Sequence, residues 1–214
     1  MASQNSTKQT LEEWAGSRHP TLALVFTDIV QSTELGMKLG GDKWINNLFD
    51  HFSMGRDIAS AFESYIVKVI GDSLMVAFKN SSDAVTFSVC FAEDTAIEHN
   101  GIRVGVNSGE VEIRDNDIYG INVNFASRVQ SALEREGVLV ANSVREDYEK
   151  RFGEDSDLRF VEGEYDLKSF GKRTLHRVRT SSLRKSILNQ RLARFRILRP
   201  EKVPPRAQTV TRLQ

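Results

Sequence analysis

The sequence predicts an α+β fold of the ferredoxin-like, split βαβ type. Three features predict it: a run that is apolar on both faces (21–28), two apolar runs joined by a short turn (64–78), and segments with helical periodicity between and after them. The resulting order, βαββαβ followed by further α and β elements, is that of a split βαβ unit. We therefore expect helices on one face of a mostly antiparallel sheet.

The first predicted elements are a short helix and a buried strand. Thr10 and Glu13 have the spacing of a capping box, in which each side chain bonds the backbone of the other residue, so a short helix is expected at 10–14. The run 21–28 is apolar on both faces and ends at Asp28, which is typical of a central strand.

The remaining elements follow from the same periodicity argument. Apolar residues at three- and four-residue spacing predict helices at 34–62, 82–98, 123–136 and 143–152. Short apolar runs predict a hairpin at 65–71 and 74–78, a strand pair at 102–113, a strand at 137–141 and two strands within 158–178.

The net charge of zero hides an uneven distribution. Residues 180–214 hold nine of the 29 basic residues and one of the 29 acidic ones, so 20 basic and 28 acidic residues precede them. This shift divides the chain into an N-terminal extension (1–19), a globular domain (20–179) and a basic C-terminal tail (180–214). We favour a solvated or domain-packing tail; a membrane-surface helix, a partner helix and a nucleic-acid arm are the functional alternatives.

Composition predicts a soluble protein of the cytoplasm. The one cysteine, Cys90, cannot form an internal disulfide, which is typical of a reducing compartment. It lies in an apolar stretch with helical periodicity, so we interpret it as a core residue rather than a nucleophile. No stretch resembles a signal peptide, and the longest apolar runs are too short to span a bilayer.

Two carboxylates are candidates for a metal site. Asp28 ends the first predicted strand, and Asp72 lies in the turn of the hairpin. If the first strand and the hairpin are neighbours, as a ferredoxin-like sheet allows, the two side chains form a hard-oxygen site suited to Mg²⁺. Two exposed loop aspartates are the alternative, and spacing alone favours that alternative.

The predicted helix 123–136 supplies two further candidates. Asn124 and Arg128 lie four residues apart, on one face near the helix N-terminus. An amide and a guanidinium in that place suit a ribose and a phosphate. A solvent-facing Asn and an Arg in an ion pair are the alternative, and these two residue types alone do not decide between them.

Four motifs are more specific together than any of these residues alone. They read "FTDIVQST" at 26–33, "KVIGDSLMVAF" at 68–78, "GVNSGEV" at 105–111 and "YGINVNFASR" at 119–128. In this order and at this spacing the sequence resembles the catalytic domain of class III nucleotidyl cyclases, over about residues 20–178. The resemblance implies a palm-like α+β domain with helices packed on a mostly antiparallel sheet.

The resemblance also implies a role for each matching residue. Asp28 and Asp72, with the backbone carbonyl of Ile29, correspond to the metal ligands, which hold two Mg²⁺ or Mn²⁺ ions per active site. Asn124 corresponds to the residue that orients the ribose. Arg128 corresponds to the residue that stabilises the pentavalent phosphorus in the transition state.

Lys68, Asp117 and Lys168 are the substrate-binding residues that the resemblance implies. Lys168 resembles the lysine that holds the terminal phosphates, while Lys68 and Asp117 match the purine-reading positions. A lysine ammonium only donates hydrogen bonds and an aspartate carboxylate only accepts them. This pair matches the N1 acceptor and 6-amino donor of adenine, and it mismatches the N1 donor and O6 acceptor of guanine. Guanylate members of the family resemble one another in having Glu and Cys at these positions. The expected substrate is therefore ATP.

The implied activity is that of an adenylate cyclase, a phosphorus–oxygen lyase that converts ATP to 3′,5′-cyclic AMP and pyrophosphate. The family's shared sites imply a homodimer with two equivalent active sites, and no nucleic acid is expected as a partner. A catalytically silent cyclase-like module that binds nucleotide or a partner is the alternative. Two residues depart from the family pattern: many members have Gly at the position of Gln31, and some have Arg at that of Glu110.

Overall fold

The computed structural model describes residues 9–95, 101–153 and 158–180. The predictions for the first eight residues, for the last three residues of the helix 82–98 and for the tail after residue 180 lie outside the described residues.

The described residues form six helices and nine strands. The helices are α1 (Leu11–Ala15), α2 (Ser32–Leu39), α3 (Gly41–Ala59), α4 (Ser81–Asp94), α5 (Ile121–Ser131) and α6 (Asn142–Phe152). The strands are β1 (Thr21–Ile29), β2 (Ser64–Ile70), β3 (Ser73–Phe78), β4 (Ile102–Glu110), β5 (Glu112–Arg114), β6 (Asp117–Tyr119), β7 (Gly137–Ala141), β8 (Leu158–Leu167) and β9 (Gly171–Thr180).

One large sheet organises the described residues. Its seven strands lie in the order β2-β3-β1-β4-β7-β9-β8, and every neighbouring pair is antiparallel except β4 and β7. Strands β5 and β6 form a separate two-stranded hairpin. The predicted α+β class with a mostly antiparallel sheet is confirmed.

Helices cover both faces of the sheet, whereas the sequence analysis expected them on one. One face of β1 packs against α2, α3, α4 and α6 through Ala23, Val25 and Ile29. The other face packs against α1, α5 and the β5–β6 hairpin through Leu22, Leu24 and Phe26. The physical reason is the composition of β1 itself, because a strand that is apolar on both faces must be covered on both.

Local predictions held where the signal was short-range. The capping box at Thr10 and Glu13 is present and begins α1, and Cys90 is buried in the apolar core.

Two predictions were wrong. The helix expected at 34–62 is broken at Gly40, whose φ of 81° ends α2. The strand pair expected at 102–113 is one long strand, β4, followed by β5, which pairs with β6 instead.

The described residues contain no helix with both the length and the hydrophobicity needed to cross a membrane.

Helix α5 lies unusually close to β4, and Gly105 is the reason. A Cβ added at Gly105 would overlap the backbone nitrogen of Gln130, near the end of α5. Because hydrogen takes the place of a side chain there, backbone packs directly on backbone. This contact fixes the distance between α5 and the centre of the sheet.

Substitution of Gly105 by Ala should therefore be destabilising. The added methyl group meets backbone atoms that cannot rotate away, so α5 must shift off β4, and overpacking of this kind costs about 2–3 kcal/mol. Urea unfolding of Gly105→Ala against the wild type measures the loss. Gly41→Ala is the matched control, because a Cβ at Gly41 meets nothing within 4 Å. An unfolding midpoint equal to that of the wild type would contradict the prediction.

His51, on α3, is a buried imidazole without a polar partner. It is 2% exposed, its ring lies 4.8 Å from that of Phe91, and within the described part of the chain neither of its nitrogens has a hydrogen bond. Burial lowers the pKa of His51 from 6.5 to about 4, and the negative charge of Asp72 opposes that shift. His51 is therefore neutral at physiological pH.

His51 should make the fold sensitive to acid. Because its pKa is lower in the folded than in the unfolded chain, the unfolded chain binds the proton first, and the free energy of unfolding falls as pH drops from 6.5 towards 4. Between neutral pH and pH 5 this loss is about 2 kcal/mol. His51→Phe keeps an aromatic ring and should remove this part of the pH dependence, measured by urea unfolding at both pH values.

The control for this prediction is His19→Gln, which changes an exposed histidine and should keep the wild-type pH dependence. The same loss of stability in His51→Phe and in the wild type would contradict the assignment.

Candidate active site

The two candidate metal ligands lie at adjacent positions of the sheet. β1 pairs with β3, and the hydroxyl of Ser73 donates to Asp28 Oδ1 at 3.4 Å. Asp72 immediately precedes Ser73, in the turn between β2 and β3, where Gly71 takes a φ of 62°. The hairpin turn thus brings the second carboxylate next to the end of β1.

Neither carboxylate is an exposed loop residue. The Asp28 side chain is 19% exposed and its Oδ2 accepts a hydrogen bond from Arg103 Nη2. Asp72 Oδ2 is buried and has no hydrogen-bond partner among the described residues. A buried carboxylate oxygen without a partner is costly unless a cation or donor meets it.

These residues fit a divalent cation of the hard, oxygen-liganded kind. Two carboxylates from neighbouring strands are the donor set that Mg²⁺ or Mn²⁺ takes together with phosphate and water. Ile29 ends β1 and is 1% exposed as a whole residue, and the one oxygen it could offer to such a site is its backbone carbonyl. No cluster of three or more His, Cys, Asp and Glu side chains able to hold a metal occurs in the described part of the chain.

Lys68 and Asp117 form an ion pair. Lys68 Nζ lies 2.5 Å from Asp117 Oδ2, with side-chain exposures of 38% and 25%. Asp117 Oδ1 also accepts from the backbone N–H of Ile118 at 2.8 Å, which fixes the carboxylate. Lys68 belongs to β2 and Asp117 to β6, so the separate β5–β6 hairpin brings the two charges together over the sheet.

Asn124 and Arg128 lie on α5, as the periodicity predicts. Asn124 is exposed and Arg128 is half-buried. Within the described residues, neither side chain has a hydrogen bond or an ion pair, so the alternative of an Arg held in an ion pair does not describe this geometry. Both groups are available to a ligand.

The turn between β8 and β9 lies beside α5, because the ring of Phe170 is 5.0 Å from that of Phe125. The structure therefore places Lys168 near α5 and away from the carboxylates of β1 and the hairpin turn. It is exposed in the turn between β8 and β9. Three strands, β4, β7 and β9, lie between β1 and β8 in the sheet. At about 4.8 Å per strand, β8 lies roughly 19 Å from β1.

The two departures from the family pattern have different settings. Gln31 has φ 53° and ψ 38°, the left-handed region, at the start of α2. A residue other than Gly destabilises the fold by about 1 kcal/mol in this conformation, which explains why many family members have Gly at this position. Glu110 is exposed at the last position of β4.

Arg103 contacts the candidate metal ligand Asp28, and the sequence analysis did not identify it. It lies directly opposite Asp28 in the register between β1 and β4. Only knowledge of this strand pairing could have identified Arg103, because the two residues are far apart in the sequence and become neighbours through the register.

Comparisons with known proteins identify the family of the chain. The sequence profile of the adenylate and guanylate cyclase catalytic domain matches residues 15–180. An adenylate cyclase of Streptomyces coelicolor is 29% identical over 129 residues, 59% of this chain and 34% of that protein. A pH-sensitive adenylate cyclase of Mycobacterium tuberculosis is 32% identical over 134 residues, 61% of this chain and 33% of that protein.

The chain spans 34% and 33% of the length of these two curated relatives. Among solved structures, the adenylyl cyclase CyaB from P. aeruginosa superposes with a TM-score of 0.67 at 23% identity, covering 76% of this chain and 95% of that chain, which shows a shared fold. Because the matched profile covers most of the sequence, the chain belongs to the adenylate and guanylate cyclase catalytic domain family.

Proposed function

We propose that the protein is an adenylate cyclase that converts ATP to 3′,5′-cyclic AMP and pyrophosphate. The observation that carries the choice of ATP is the ion pair of Lys68 and Asp117. The curated relatives named above, both adenylate cyclases, support the same activity.

The choice of base follows from donors and acceptors. Adenine offers an acceptor at N1 and a donor at its 6-amino group, which meet the Lys68 ammonium and the Asp117 carboxylate. Guanine has a donor at N1 and an acceptor at O6. Its N1 donor would therefore face the Lys68 donor, and its O6 acceptor would face the Asp117 acceptor. A site built to hydrogen-bond one pattern discriminates strongly against the other.

We propose that Asp28 and Asp72, with the Ile29 carbonyl, hold two divalent cations, Mg²⁺ or Mn²⁺. The buried, unpartnered oxygen of Asp72 supports this assignment. Bound there, the cations would act as Lewis acids on the ribose 3′-hydroxyl and the phosphates.

The side chains of α5 act on the reacting groups. We propose that Asn124 orients the ribose so that its 3′-hydroxyl loses its proton to water and its 3′-oxygen forms a bond to the α-phosphorus, while the bond to the β-phosphate oxygen breaks and pyrophosphate leaves. Arg128 meets the charge that develops on the α-phosphate. Since that charge is greatest in the transition state, Arg128 contributes more to turnover than to ATP affinity.

The separation of Asn124 from the carboxylates within one chain supports a shared site. Arg103 contacts both Asp28 and the carbonyl of Leu133, so the carboxylates lie beside the C-terminal end of α5. Asn124 lies nine residues earlier, about 13 Å away at the helical rise. We propose a two-fold homodimer in which one protomer supplies the cations and its partner supplies Asn124, Arg128 and the base-reading pair.

We propose the limits 1–19, 20–179 and 180–214 for extension, catalytic domain and basic tail, and a cytoplasmic location. The tail's nine basic residues suit a weak contact with an anionic membrane surface or an acidic partner.

The purified wild type should turn over ATP about 100-fold faster than GTP with Mg²⁺ or Mn²⁺, measured as cyclic nucleotide formed. Lys68→Glu combined with Asp117→Cys should reverse that preference, because the donor and acceptor are exchanged. Lys79→Glu is the control, since Lys79 pairs with Glu63 away from the site and its loss should leave the ratio unchanged. No turnover of ATP with either metal would favour the silent module.

Shared sites predict complementation between inactive variants. Asp72→Ala and Arg128→Ala should each lose nearly all activity, and an equal mixture should recover about a quarter of the wild-type rate, because half of the dimers are mixed and each mixed dimer has one intact site. Asp72→Ala mixed with Asp28→Ala is the control and should recover nothing. No recovery in the first mixture would contradict shared sites.

A further inference from the structure

Arg103 is bound to a candidate metal ligand from the neighbouring strand. Its Nη2 donates to Asp28 Oδ2, and its Nη1 donates to the backbone carbonyl of Leu133 at 3.3 Å. The Arg103 side chain is 28% exposed, and its buried Nε has no partner among the described residues. The guanidinium therefore bridges the end of β1 and the residues that follow α5.

The two carboxylates of the site differ in their surroundings. Both oxygens of Asp28 are engaged, one by Arg103 and the other by the Ser73 hydroxyl. Asp72 Oδ2 has no such partner within the described residues. The negative charge of Asp28 is thus already compensated by the guanidinium of Arg103, whereas no such group contacts Asp72 Oδ2 within the described residues.

We propose that Arg103 is a positioning residue that holds Asp28 and lowers the affinity of the site for a divalent cation until nucleotide is bound. The inference rests on the proposed metal site at Asp28 and Asp72. A guanidinium keeps its charge at every physiological pH, so it competes with a dication for Asp28 and repels it. The triphosphate brings negative charge that offsets this repulsion, and cation and nucleotide therefore bind cooperatively.

The contact with Leu133 gives the guanidinium a second acceptor. When a cation takes Asp28 Oδ2, Nη1 keeps its bond to the carbonyl, so Arg103 stays ordered between β4 and α5. A lysine can supply the same charge to Asp28 with a single ammonium group, although it cannot bridge two acceptors.

The test is Mn²⁺ binding to the purified full-length chain, followed by electron paramagnetic resonance of free Mn²⁺. Without nucleotide, Arg103→Met should bind Mn²⁺ about tenfold more tightly than the wild type, because the competing charge is gone. With α,β-methylene-ATP present, the difference should shrink to about twofold. Arg103→Lys should restore the wild-type affinity, and Arg103→Met with Asp28→Asn should lose the gain.

Arg145→Met is the matched control, because Arg145 pairs with Glu149 at 2.5 Å and is similarly exposed, at 26%. It should leave Mn²⁺ affinity unchanged. Urea unfolding verifies that each variant is folded, and Arg103→Gln replaces Arg103→Met if the latter is not. Mn²⁺ affinity that is equal or weaker in the folded neutral variant would overturn the proposal.

A failure of the role of Arg103 can be distinguished from a failure of the proposed function. Wild-type turnover of ATP combined with unchanged Mn²⁺ affinity in Arg103→Met overturns the role of Arg103 alone. Absence of ATP turnover combined with the tenfold gain overturns the catalytic proposal and supports the role of Arg103 at a metal site. Absence of Mn²⁺ binding in both chains, with and without nucleotide, overturns the role of Arg103.

Discussion

The pairing of β1 with β4 is the constraint on which the rest of the structure depends. The two strands are in register over their full length, from Thr21 opposite Glu110 to Ile29 opposite Ile102. That register sets Arg103 against Asp28 and turns Gly105 towards α5. Because β1 also pairs with β3, the same strand brings the hairpin turn to the site. A change of register by one residue would move every one of these side chains to the opposite face.

Short-range sequence patterns predicted much of this arrangement. The apolar run ending at Asp28 and the turn at Asp72 are short-range patterns, and both predicted elements lie in the sheet as expected. The spacing of Asn124 and Arg128 likewise predicts a shared helix face, and α5 has that face. What the four motifs added was the relation between segments, since residues on β2 and β6 such as Lys68 and Asp117 have no local reason to meet.

Long-range geometry accounts for what the sequence did not predict. Arg103 looks like an ordinary charge on a strand until its partner strand is known. Gly40 interrupts a helical pattern that periodicity alone continues, because a hydrophobic pattern does not report the φ of 81° that the backbone takes there. His51 had no assigned role in the sequence analysis, and its burial beside Phe91 depends on the packing of α3 against α4. For Arg103 and His51 the deciding contact joins residues far apart in the chain.

The contact at Gly105 has a mechanical consequence. At Gly105 backbone packs on backbone, so no side chain lies at that point between β4 and α5 that could be compressed or rearranged. This contact resists movement of the C-terminal part of α5 relative to the sheet, which limits changes in the distance between Asp28 on β1 and Arg128. In the proposed two-fold dimer, a rotation of the protomers that keeps the two-fold symmetry would change both catalytic clefts by the same amount. Such an enzyme would open and close both clefts in step, without a dedicated element to couple them.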